Sequence, residues 1–221
     1  MMMDDVIRRI GEIGIVPVVR AATSAEAIRA VEAIHLGGIP IVEITMTVPD
    51  AQTVIREVVR EYAGRVLVGA GTVVSAEQAK RCLDSGAEFL VSPGLSIPVL
   101  SVAQACEKLA IAGALTPTEL MNAQTYGAKL IKIFPCGSVG GPKYLKALKA
   151  PFPDRALIPT GGVNVSNAAE FIQAGAYALG VGGELVDATA LRNGKLAKIT
   201  QAARDLVQAV QLARAQIARS A

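Results

Sequence analysis

The chain has 221 residues, 52% of them hydrophobic, with no Trp, and carries a formal net charge of +3 from 22 basic and 19 acidic residues. That length suits one large domain, and so weak and dispersed a charge excludes the clustered basic face of a nucleic-acid binder. No apolar run reaches the roughly 18–20 residues that span a bilayer, and MMMDDVIRRIGEIG lacks the apolar core of a signal peptide, so a cytoplasmic protein with no membrane partner is expected.

Taken in chain order, the first thirteen residues place Val6, Ile7, Ile10 and Ile13 on one side of a helix, expected to plug the bottom of a barrel. Short β-branched runs then alternate with helical stretches. The strands are expected at 14–20, 39–45, 66–72, 88–94, 109–115, 129–135, 156–162 and 177–183. Between the first two, Ala27, Ile28, Val31 and Ile34 share one helical face. Thr23-x-x-Glu26, Ser75-x-x-Gln78 and Thr116-x-x-Glu119 read as capping boxes, the last with Pro117 at the first helical position. Gly38, Gly86, Gly127 and Gly175 each stand where a helix hands over to a strand, a place that favours the left-handed conformation. Their spacings of 48, 41 and 48 residues are close to two strand–helix units each. The tail from Leu191 to Ile217 reads as the final helical layer. Eight strands alternating with helices predict a single-domain α/β fold, a (β/α)8 TIM barrel over 1–221.

Cys82, Cys106 and Cys136 form no CxxC pair and are expected to be buried or half-buried free thiols. Cys136 follows Phe134-Pro135, but a nucleophilic thiol normally needs a His base, and the one His, His35, falls inside a helix. The same scarcity argues against zinc, non-haem iron or a Ser-His-Asp triad. Chemistry is left to Lys, Arg, carboxylates, hydroxyls and backbone, with no metal.

Strand alternation then selects the residues. In KLIKIFP, Ile131 and Ile133 suit the helix layer, so Leu130, Lys132 and Phe134 face inward. In IPIVEIT the same argument puts Ile41, Glu43 and Thr45 inside. A cation and an anion in apolar strands are costly unless paired or functional. Burial disfavours the charged form of an amine, and a neutral amine attacks a ketone to give an imine. Glu43 on the same inner wall could carry the protons. The alternative is a Lys–Glu ion pair that only fixes packing. Thr160-Gly161-Gly162 ends the seventh strand and Gly180-Val181-Gly182-Gly183 the eighth, where barrels commonly bind phosphate through backbone N–H groups at a helix N-terminus; tight βα turns would need the same glycines. Arg20 and Thr72 are the remaining polar groups expected at the rim, Arg20 holding a carboxylate or forming a salt bridge there.

With VEIT, VGAGTV, FLVSPG, TPTEL, KIFP and PTGGV in order, the chain from about Ile15 to Val186 resembles the 2-keto-3-deoxy-6-phosphogluconate / 4-hydroxy-2-oxoglutarate aldolase family. The resemblance implies that Lys132 forms a Schiff base, Glu43 is the general acid/base, and Thr72 and Pro93 of their motifs help hold pyruvate. It further implies that Phe134 packs on the substrate and that Thr160, Gly161, Gly162, Gly182 and Gly183 serve the phosphate. It implies a homotrimer that takes a small 2-keto acid and needs no cofactor beyond the covalent link through Lys132. Two positions depart from the pattern. Thr47 stands where some members have a carboxylate-binding Arg, and Arg20 is expected to supply that charge. Gly183 stands where many members have Ser, with Glu184 adding an anion beside it, which loosens a strict phosphate requirement. The expected activity is a class I aldolase releasing pyruvate and glyceraldehyde 3-phosphate from 2-keto-3-deoxy-6-phosphogluconate. Cleavage of 4-hydroxy-2-oxoglutarate to pyruvate and glyoxylate stands beside it. The rivals are a 2-keto-3-deoxy-6-phosphogalactonate aldolase, a phosphosugar isomerase or epimerase with Glu43 as base, and an inactive barrel that only binds.

Overall fold

Runs of Val, Ile, Leu and Ala bounded by glycine turns pair into one eight-stranded, all-parallel sheet in a computed structural model that describes residues 1–220. The strands are β1 (Ile15–Val19), β2 (Ile41–Thr45), β3 (Leu67–Gly71), β4 (Phe89–Val91), β5 (Leu109–Ala114), β6 (Leu130–Ile133), β7 (Ala156–Pro159) and β8 (Leu179–Val181). They run β7-β6-β5-β4-β3-β2-β1-β8. A parallel bridge between Thr160 and Gly180 joins the two ends. The result is a nearly closed (β/α)8 barrel of one domain, as the alternation predicts.

All eight expected strands are present, but each pairs over a shorter span than its apolar run, β4 and β8 over three residues only. The trimmed C-terminal ends are the barrel mouth, where the chain leaves the ladder and where barrels carry their chemistry.

Side chains alternate as the pleat requires. Ile15, Val42, Ile44, Ile131 and Ile133 pack under the helices. Val16, Ile41, Leu67, Phe89, Leu109, Leu130 and Ile158 fill the barrel. Phe89 reaches the centre because its register partner is Gly69, where a Cβ would overlap the ring. Helix α1 (Met3–Ile13) closes the bottom with Val6 and Ile10, both fully buried. It ends at Gly14, whose N–H bonds the Ile10 carbonyl at 2.9 Å.

Local signals place the other helices: α2 (Ser24–Leu36), α3 (Ala51–Tyr62), α4 (Ala76–Asp84), α5 (Ile97–Ala105), α6 (Pro117–Thr125), α7 (Pro142–Lys149) and α8 (Ala168–Gln173). Thr116 and Glu119 form the complete reciprocal capping box of α6. At α2 and α4 the cap hydroxyl bonds the third helical N–H, but Glu26 and Gln78 reach one residue further back, to the N–H of Ala22 and Val74. Gly38, Gly86, Gly127 and Gly175 all have φ between 85° and 98°, the left-handed termination expected.

Two expectations need correction. The tail is not one helix from Leu191: Asp187 caps a short α9 (Ala188–Arg192), Gly194 turns the chain at φ 67°, and α10 runs Leu196–Ser220 against α2 and α8. Cys106 is exposed, whereas Cys82 and Cys136 are buried, because it follows α5 in the turn to β5 and no element covers it.

Candidate active site

β2 and β6 bring Glu43 and Lys132 to the walls of one interior cavity of about 10 Å³, with Thr160 as its third polar wall and Val16, Val91, Ile111 and Ile158 among the apolar ones. Glu43 is 2% exposed and Lys132 6%. Neither belongs to any ion pair among the described residues, so the packing ion pair considered from the sequence does not form. Glu43 Oε1 is buried without a hydrogen-bond partner. Burial pushes the Glu43 carboxyl above the ordinary carboxylate range, opposed by the positive charges of Lys132 and, less, Arg20. The Lys132 ammonium nitrogen stands 5.3 Å from the centroid of the Phe134 ring, two residues along the same strand face. A buried acid and a buried amine that form no ion pair or hydrogen bond suit a proton-transfer site and are costly in a packing core.

Room for the carboxyl comes from β3. Glu43 pairs in register with Gly69 and Thr45 with Gly71, and a Cβ on Gly71 would overlap the Glu43 side chain. The VGAGTV motif by itself assigns the glycines no such clearance. On the opposite wall a Cβ on Gly180 would overlap the Thr160 hydroxyl.

At the mouth, Arg20 lies just past β1 and donates through Nη1 to Thr47 Oγ1 at 3.3 Å, so the guanidinium meets the threonine whose missing charge it is expected to supply. Thr72, directly after β3, is half-buried with φ 58°. A β-branched residue in that region is strained, and strain of this kind gathers at functional sites. Pro93 is half-buried after β4, its carbonyl pressed against Gly113 of β5, where a Cβ would not fit.

The glycine turns lie at the rim. Gly161 and Gly162 have φ of 88° and 77°. Their carbonyls are held by the Gly137 N–H and the Asn167 side-chain amide, each at 2.8 Å. The Gly182 carbonyl accepts from the N–H groups of Leu185 and Val186, both at 2.9 Å. The N–H groups of Gly162, Gly182 and Gly183 donate no backbone bond among the described residues, and a Cβ on Gly183 would meet open space. Thr160 parts company with its glycines: it is 5% exposed and aims its side chain into the interior cavity. Neither turn opens a helix directly, since α8 begins at Ala168 and α9 at Ala188. Any anion there would therefore be met by turn N–H groups. Cys136 is fully buried, its thiol pushed up to about 11 by burial and directed at the Gly141 carbonyl at 3.7 Å. That is the setting of an inert thiol.

Comparison with known proteins gives the family. The family model "KDPG and KHG aldolase" matches residues 6–202. A KHG/KDPG aldolase of Escherichia coli K12 is 34% identical over 198 residues, covering 90% of this chain and 92% of its own. A 2-dehydro-3-deoxy-6-phosphogalactonate aldolase of the same organism is 36% identical over 172 residues, 77% of this chain and 83% of that one. Among solved structures, a KDPG aldolase from Legionella pneumophila with pyruvate captured as a covalent carbinolamine superposes with TM-score 0.84 at 29% identity, covering 90% of this chain and 97% of the other. Two 3-hexulose-6-phosphate synthases, at 17% and 14% identity, share the fold alone. With its barrel, its buried Lys–Glu pair of strands and these relatives, the chain belongs to the KDPG and KHG aldolase family, a family of carbon–carbon lyases.

Proposed function

We propose that this chain is a Schiff-base aldolase cleaving 2-keto-3-deoxy-6-phosphogluconate to pyruvate and glyceraldehyde 3-phosphate, with 4-hydroxy-2-oxoglutarate as a second substrate. The observation that carries it is the unpartnered Glu43 carboxyl sharing one buried cavity with the Lys132 amine. In this reading the amine adds to the C2 carbonyl and the carbinolamine loses water to an iminium. Glu43 takes the C4 hydroxyl proton, the C3–C4 bond breaks, and its electron pair moves into the iminium to give an enamine and the aldehyde. Protonation of the enamine at C3 and hydrolysis return pyruvate and the free amine. Arg20 holds the substrate carboxylate, Thr72, Pro93 and Phe134 enclose the pyruvyl part, and the turns at Gly161–Gly162 and Gly182–Gly183 receive the phosphate. The covalent carbinolamine in the Legionella relative supports the first step.

The reading needs no metal, and among the described residues no group of three or more His, Cys, Asp or Glu could hold one. A homotrimer belongs to the same proposal, as does a cytoplasmic location; among the described residues no helix is long and apolar enough to cross a membrane. The alternative reading, cleavage of 2-keto-3-deoxy-6-phosphogalactonate in place of the gluconate compound, is supported by the 36%-identical relative named for that activity.

Borohydride reduction in the presence of pyruvate tests the mechanism. The expected result is a pyruvate-sized adduct on Lys132, located by mass spectrometry and absent from Lys132→Ala. An unmodified Lys132, under conditions that trap a known Schiff-base aldolase, would overturn the reading in favour of an isomerase that uses Glu43 as base. Turnover of the two phosphorylated C4 epimers then separates the substrates.

A further inference from the structure

The ends of β1 and β2 carry a hydrogen-bond chain whose proton order is determined. Thr45 is completely buried, and its hydroxyl donates to the Val19 carbonyl at 3.1 Å. The same Oγ1 lies 2.7 Å from Thr47 Oγ1, and Thr47 Oγ1 accepts from Arg20 Nη1 at 3.3 Å. A guanidinium only donates, a carbonyl only accepts, and a hydroxyl has one proton. With the Thr45 proton committed to Val19, the bond between the hydroxyls has to be donated by Thr47. The Thr47 oxygen is then turned outward as an acceptor for Arg20. Every proton in the chain points from the exposed guanidinium toward the buried strand.

Two consequences follow. Arg20 is exposed at the barrel mouth, where a long side chain would sample many rotamers, and the oriented acceptor holds it in one. Thr47, its own proton turned inward, has none to offer an incoming carboxylate, so anion recognition falls to the remaining N–H groups of Arg20. Thr45 itself neither lines the cavity shared by Glu43 and Lys132 nor reaches solvent. Valine would match its branched shape in a strand, so packing alone does not call for the hydroxyl.

We propose that Thr45 is a positioning residue for substrate binding: its buried hydroxyl sets the direction of the Thr47 hydroxyl and thereby holds the Arg20 guanidinium where the 2-keto acid carboxylate enters. The inference rests on the reading of Arg20 given under the proposed function.

The test measures the pyruvate concentration that half-saturates borohydride trapping, together with the maximal adduct yield. The proteins are wild type, Thr45→Val, Thr45→Ser, Arg20→Ala and the Thr45→Val/Arg20→Ala double variant. Expected are a rise of roughly fivefold in the half-saturating concentration for Thr45→Val, the scale of one lost hydrogen bond, with the maximal yield unchanged. Thr45→Ser, which keeps the hydroxyl, stays within about twofold of wild type. Arg20→Ala raises the value at least as much, and Thr45→Val adds nothing in that background, because the two act through one contact. If Arg20→Ala raises the value and Thr45→Val does not, or if Thr45→Val acts equally with and without Arg20, the positioning role is overturned while Arg20 keeps its own. If Arg20→Ala matches wild type, or wild type takes no adduct, the underlying reading fails and this inference with it. Should Thr45→Val not fold, Thr47→Val cuts the same chain at an exposed link, with the same pattern expected and the same results against it.

Discussion

The carboxyl of Glu43 occupies the space a side chain on Gly71 would need. The two lie on neighbouring strands, and Gly71 pairs in register with Thr45, two residues beyond Glu43, so the glycine clears the end of the acidic side chain. Glu43 is thereby fixed in a cavity whose other polar walls are Lys132 and Thr160. Gly71→Ala should push the carboxyl aside at a fold cost of about 1–3 kcal/mol, the usual scale of overpacking. Displacement of a proton-transfer group by about 1 Å can cost roughly 100-fold, so kcat should fall on that scale. Steady-state kinetics and thermal melting check it; wild-type turnover in Gly71→Ala would mean that Glu43 needs no such placement.

The raised Glu43 pKa also makes a prediction about stability. A carboxyl whose pKa is higher folded than unfolded binds its proton more tightly in the folded state. The stability it contributes is fully present below the unfolded value, about 4.5, and is lost as pH rises through the folded one. Glu43→Gln cannot ionise, so its Tm relative to wild type should climb between pH 4.5 and pH 8, while kcat falls roughly 10²- to 10⁴-fold. Calorimetry at the two pH values reads the first effect. A Tm difference that is flat with pH would place the proton elsewhere.

Gly183 offers a gain-of-affinity experiment. A Cβ there meets open space, so Gly183→Ser should change stability by no more than about 0.5 kcal/mol. Its hydroxyl adds one donor to the turn N–H groups. KM for a phosphorylated substrate should fall by about three- to tenfold, as for one charge-assisted bond, with the unphosphorylated substrate unaffected. Equal effects on both would take the phosphate away from this turn.

The thiols should separate cleanly under alkylation. Burial holds Cys82 and Cys136 up at about 11, leaving well under about 0.1% thiolate at pH 7.5, whereas Cys106 is exposed. Iodoacetamide on the native enzyme should therefore modify Cys106 alone and leave turnover intact. Peptide mapping that finds Cys136 alkylated with loss of activity would restore the catalytic thiol rejected above.

Lys132 could be placed inside the barrel from KLIKIFP because Ile131 and Ile133 claim the outer face, and Glu43 likewise from Val42 and Ile44. The role of Gly71 could not be read the same way, since nothing in VGAGTV says which neighbouring side chain leans over it. Thr160 shares one motif with Gly161 and Gly162, yet the pleat turns it into the cavity while the two glycines stay at the rim. Arg20 is expected to supply the charge that Thr47 lacks, and the fold joins these two residues, 27 apart in the chain, by a hydrogen bond.

The sequence by itself determined the eight alternating units, the left-handed glycines that end the helices and the inward faces of β2 and β6. All of these follow from periodicities and caps that act within a few residues of chain. Only the tertiary structure decided that Glu43 and Lys132 share a cavity without forming an ion pair, that Gly71 makes room for the carboxyl, and that Thr45 sets the proton order reaching Arg20. Those relations depend on register and stagger between strands, which closure of the barrel sets and no single strand encodes.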